Sequence, residues 1–96
     1  GPPVPKFTSW QGVAKVLQED IKADPLLSRS AWPCMKRFLL GGPVCASGCK
    51  SCGKNEGKGD DAPRERARAK FASLAASGAF SVELNADLRK GERSRA

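Results

Sequence analysis

"TSWQGVAKVLQEDIKADP", residues 8–25, decides the fold class. Trp10, Val13, Ala14, Leu17 and Ile21 recur at three- and four-residue spacing, which places them on one side of a helix as its only continuous apolar stripe. Thr8 and Gln11 form a Thr-x-x-Gln capping box, so the helix is predicted to begin near Thr8. Asp24-Pro25 ends it, because the ring cannot continue the hydrogen-bond ladder and it pushes the preceding residue out of helical geometry. Asp24 can then cap a short turn through Leu26 and Leu27, with Pro25 at the first helical position.

Moving C-terminally, Pro33 opens "PCMKRFLLGG", where Cys34 and Phe38 share a face and Gly41 is a natural stop. Trp32, just before it, reads first as a core residue. A third helix is predicted after Asp60, Asp61 and Pro63, where acids sit against the positive end of the helix dipole, and "RERARAKFASLAAS" carries it to Gly78. Its apolar side is Ala67, Phe71, Leu74 and Ala75. The last stretch is two-valued: Phe80, Val82 and Leu84 alternate as in a strand, while Leu84 and Leu88 sit at helical spacing.

The expected architecture is therefore mainly α with extensive irregular structure, made of three short helices, an extended N-terminal arm and a cysteine-cross-linked loop. Residues 1–7 are the arm, rich in proline and of polyproline character, with Val4 and Phe7 available to dock it. Residues 8–88 form one small helical domain that includes a Cys- and Gly-rich loop at 41–61, and residues 89–96 are a basic tail. With 96 residues there is room for one small core. Hydrophobic residues make up 40%, but 13 of them are alanine, so few large side chains can be buried and a cross-link, metal or partner is expected to help.

Cys34, Cys45, Cys49 and Cys52 follow a C-x10-C-x3-C-x2-C pattern. Two disulfides suit the even cysteine number, the small core and the long loop, since cross-links remove entropy from the unfolded chain. Four cysteines allow three pairings, and spacing does not choose among them. The alternative is zinc: "CKSCGK" resembles half of a zinc ribbon, in which two thiolates three apart wrap a tetrahedral ion. "CASGCKSC" also resembles the iron–sulfur signature of radical S-adenosylmethionine enzymes. Those enzymes need a large partial barrel, so only a four-cysteine cluster, not the activity, is carried forward, as the least favoured cofactor.

The formal charge of +7 and a pI near 9.6 favour an acidic partner surface, RNA or another anionic surface. Candidate basic contacts are Lys50, Lys54 and Lys58 on the loop, Arg64 and Arg68 on the third helix, and Arg93 and Arg95 in the tail. Arg64, Arg66, Arg68 and Lys70 alternate, so they spread around a helix and read as a solvated face with Glu65 near Arg68. No aromatic is interleaved among them to stack bases. The chain has no histidine, no phosphate-cradling glycine motif and no serine nucleophile elbow, and its acids sit among opposite charges or at helix starts. An enzyme, and a small-molecule substrate, are not indicated. No apolar run approaches the roughly 18 residues that span a bilayer.

These features point to a non-enzymatic accessory or structural subunit, peripheral and basic, that docks on a larger protein assembly, with an organellar membrane complex as one setting. Val4, Phe7, Trp10, Trp32 and Phe80 are its candidate interface anchors. If Gly1 is a processed terminus, a non-reducing compartment follows: an organelle lumen, an intermembrane space or secretion. The competing reading is a four-cysteine zinc module on RNA or a ribosome-like particle.

Overall fold

The computed structural model describes residues 5–43 and 61–90. Within them the chain is mainly helical, in the order α1 (Trp10–Ala23), α2 (Pro25–Arg29), α3 (Trp32–Leu39), α4 (Asp61–Ala76) and α5 (Val82–Leu88). Five helices therefore stand where three short ones were expected, and α1 and α4 run to 14 and 16 residues.

The apolar stripe of α1 is its packing face: Val13, Leu17 and Ile21 are buried, Trp10 is half-buried, and Lys15 and Gln18 face solvent. Its start lies one residue later than the capping box implies. Ser9 is the N-cap and no side chain closes the first turn. Instead the backbone of Phe7 fixes the entry, donating to Ala79 O at 3.0 Å and accepting from Ser81 N at 2.9 Å. This is a single parallel bridge between Phe7 and Phe80. It ties the described end of the arm to the segment before α5.

Asp24 does what Asp-Pro suggests and more. Its backbone N–H closes α1 on Ile21 O, and its Oδ1 accepts from Leu26 N at 2.9 Å to cap α2. Helices α3 and α4 both end on a left-handed glycine, Gly41 at φ 103° and Gly78 at φ 73°. Each end makes the paired bonds of a Schellman motif: Gly42 N to Arg37 O and Gly41 N to Phe38 O for α3, Ala79 N to Leu74 O and Gly78 N to Ala75 O for α4.

The ambiguous segment resolves as a helix. Ser81 Oγ accepts from Leu84 N at 3.1 Å as N-cap, and Leu84 and Leu88 are buried at helical spacing. Val82, which made the alternation look like a strand, is 78% exposed. Phe80 is buried and joins Phe7 edge-on at 6.3 Å and Phe71 at 5.3 Å, a run of rings through the core. Helix α4 lies chiefly on α1 and also on α3. Of its expected apolar face, Ala67 and Phe71 are buried and Leu74 half-buried, while Ala75 is exposed and Pro63 takes part in the burial instead.

Candidate functional site

The basic residues of α4 come first, because the sequence assigned two of them to a partner. An α-helix turns about 100° per residue, so Arg64 and Arg68 fall on one flank of the Ala67 stripe and Arg66 and Lys70 on the other. Alternation thus makes two rows bracketing a buried line. Both rows are engaged within the fold. Arg64 Nε donates to Oδ2 of Asp24, a residue with no exposed surface, so one carboxylate joins α1, α2 and α4. Arg66 Nε donates to Asp20 Oδ1 at 2.9 Å, and Lys70 Nζ lies 2.7 Å from Asp20 Oδ2. Lys70 first, then Arg66, hold the Asp20 carboxyl below the usual carboxylate range, against the opposite pull of burial.

Arg68 works differently. Its guanidinium donates to Phe38 O at 3.2 Å and Gly42 O at 2.8 Å, and it lies 4.0 Å over the Phe38 ring. A cation thereby meets the negative end of α3, giving Phe38 O a second donor beside Gly41 N and holding Gly42 O just past the helix. The expected neighbour Glu65 is 3.8 Å away. Lys36 does the same for α5, donating to Asp87 O and Lys90 O at 3.3 and 3.2 Å. The solvated face expected of residues 64–70 holds for Arg66 and Lys70, which stay exposed, and is corrected for Arg64 and Arg68, which are partly buried; all four cations also fasten helices to one another.

Two surface features among the described residues bear on function. One is an apolar groove of about 600 Å³ between the end of α3 and the second half of α4, lined by Leu39, Leu40, Phe71, Ala72, Ala75 and Ala76, with Gly41 and Arg68 at its edge. Leu40 is 47% exposed there. The other is a cleft of about 340 Å³ where the starts of α1 and α3 meet α5, walled by Trp10, Trp32, Leu84, Glu83 and Asp87. Trp10 and Trp32 stack with ring centroids 4.0 Å apart and planes at 25°.

Of the expected interface anchors, Phe7, Trp10 and Trp32 are half-buried against the core, and Phe80 lies in the core itself. Cys34 is buried in α3. Cys45, Cys49, Cys52, Val4, Lys50, Lys54, Lys58, Arg93 and Arg95 lie outside the described residues. Among the described residues no three cysteine or carboxylate side chains are gathered as a metal site, and no helix is long and apolar enough to cross a membrane. The groove went unread because Ala75 counted as part of the packing face, whereas it is exposed and lines the groove with Ala72, Ala76 and Leu40. Comparison with family models, curated proteins and solved structures yields no match to this chain.

Proposed function

We propose that the chain is a non-enzymatic accessory subunit that docks on a larger protein assembly, and that the groove between α3 and α4 receives an apolar helical segment of that assembly. The exposed apolar wall of the groove carries this reading: Ala72, Ala75 and Ala76 let a partner backbone approach closely, and Leu40 offers a large exposed side chain to bury beside the already buried Leu39 and Phe71. Phe7 and the tryptophans, expected as anchors, contribute from their half-buried positions. Disulfides among Cys34, Cys45, Cys49 and Cys52, and hence a non-reducing compartment, remain part of the proposal on the argument from core size.

The zinc module on RNA draws less support. Arg64 and Arg68 are engaged on Asp24 and on the end of α3, which leaves that reading to the loop lysines and the tail arginines.

The test is co-migration of the untagged protein with a larger species in a native extract of the cells that make it, compared with Leu40→Asp and Ala76→Arg. Both positions are exposed, so melting should stay within about 0.5 kcal/mol of the parent, while co-migration is lost. A chain that runs alone, or variants that assemble as well as the parent, would sink the docking role. Release by ribonuclease would move the assignment to RNA.

A further inference from the structure

We infer that the cleft walled by Trp10, Trp32, Glu83 and Asp87 is a binding site for an arginine side chain presented by a peptide partner. It shares no lining residue with the groove; it rests on the docking proposal in giving that proposal's two tryptophan anchors a ligand, and the probe titration can fail while co-migration holds.

The chain is strongly basic, yet the open wall of this cleft is acidic. Glu83 and Asp87 lie one turn apart on α5, so both carboxylates reach the same side of that helix and border the same cavity. Glu83 makes no ion pair or hydrogen bond with other described residues. Asp87 has a loose one, to Lys90 Nζ at 3.6 Å with the lysine 77% exposed, which a better donor can displace. The facing wall is aromatic. The stacked indoles present a flat π surface, and neither indole N–H has a partner among the described residues. A flat π surface beside two carboxylates suits a ligand that is flat, cationic and rich in donors, while the open indole N–H groups are left to donate to a backbone carbonyl of the peptide that carries it.

A guanidinium meets all three conditions. It stacks on indole through its face, and its in-plane fork donates to a carboxylate in bidentate fashion. An ammonium would meet the charge but neither the stacking nor the fork. Thr8, Ser9 and Gln11 at the rim leave polar groups for the ligand's backbone, which is why a peptide-borne arginine fits better than a free guanidinium.

The chain has two tryptophans and no tyrosine, so its two indole N–H signals and its indole fluorescence report this cleft alone. The full-length protein would be titrated with N-acetyl-arginine amide, and in parallel with the lysine and citrulline amides. The expected result is a saturable shift of both indole signals with the arginine probe. Its dissociation constant should be at least about threefold lower than with lysine, and lower still than with neutral citrulline. Glu83→Gln should weaken the arginine probe about threefold, whereas Glu19→Gln, on the exposed side of α1, should leave it unchanged. Equal response to citrulline or lysine, no saturation, or indifference to Glu83→Gln would overturn the assignment. So would movement of the indole signals when Arg93 and Arg95 are replaced by glutamine with no probe present, since the cleft would then serve this chain's own tail.

Discussion

Helices α1 and α4 pack against each other, yet they are held by different means. Helix α1 presents a continuous stripe of large apolar residues, Val13, Leu17 and Ile21, all buried. Helix α4 has only Phe71 as a large buried side chain along its length, with Pro63 and Ala67 completing the line. A stripe that thin buries little area, at about 25 cal/mol per Å² of apolar surface. What it lacks is supplied from its flanks, by cations that reach over the edge of the interface to Asp24, Asp20 and the carbonyl end of α3. Small central residues and long flanking ones are complementary: alanine brings the backbones together, and only then can arginine stems span the seam.

The sharpest way to break this contrast is Asp24→Ala. The substitution removes the α2 cap and leaves the Arg64 guanidinium, 12% exposed, with only the long contact to the exposed Asp61 at 3.5 Å. A loss of about 3 to 5 kcal/mol is expected in denaturant unfolding, because a largely buried charge stripped of its buried partner costs more than the pair contributed. Asp24→Ala combined with Arg64→Met should recover part of it, since the poorly paired charge is then gone as well. A loss below about 1 kcal/mol would mean that α4 is held as α1 is, by its apolar line alone.

Helix α1 answers to the opposite probe. Leu17 has no exposed surface, and Leu17→Ala should cost about 2 to 5 kcal/mol through lost burial and the cavity left behind. Lys15→Ala, on the solvent side, should stay within about 0.5 kcal/mol. Similar costs for the two would dissolve the stripe.

This difference explains what could be read in advance. The α1 stripe, the Asp24-Pro25 boundary and the stops at Gly41 and Gly78 are local signals, carried by residues within a turn of where they act. The role of Arg64, Arg66, Arg68 and Lys70 is not local. Alternation means two flanking rows only once Ala67 is known to face α1 and Asp20 and Asp24 are known to lie across from it. Residue 80 teaches the same lesson, since a large apolar residue beside irregular segments reads as an interface anchor until the bridge to Phe7 places it between two rings. The tryptophans were singled out one at a time. Their pairing depends on α1 and α3 beginning side by side, which no spacing in the chain announces.

A smaller effect separates the cations of α4 by what they meet. Arg68 serves two carbonyls and a ring, so Arg68→Ala should cost about 1 to 2 kcal/mol, discounted because its side chain is 30% exposed. Arg68→Lys should recover little, because a single ammonium cannot hold Phe38 O and Gly42 O together in the plane of a fork. Full rescue by lysine, in thermal melts of the two variants, would reduce Arg68 to a point charge near a helix end.

The smallest expected effect is also the most specific. Lys70 is 49% exposed, so Lys70→Gln should cost less than about 1 kcal/mol at neutral pH, and less again at high salt. Its pH dependence tells more than its size. Lys70 and Arg66 lower the Asp20 pKa in the folded state. The stabilisation they bring is therefore fully present above the unfolded-state value, about 3.9 for an aspartate, and is lost as pH falls through the lower folded-state value. Removing Lys70 raises that folded-state pKa, so the variant should begin to lose stability at a higher pH than the parent. The gap between the two proteins should be constant from neutral pH down to about 5 and close once Asp20 is protonated in both. Urea melts across this range would show it. A gap that persists undiminished in strong acid would place the effect of Lys70 in its aliphatic stem and leave Asp20 to Arg66 alone.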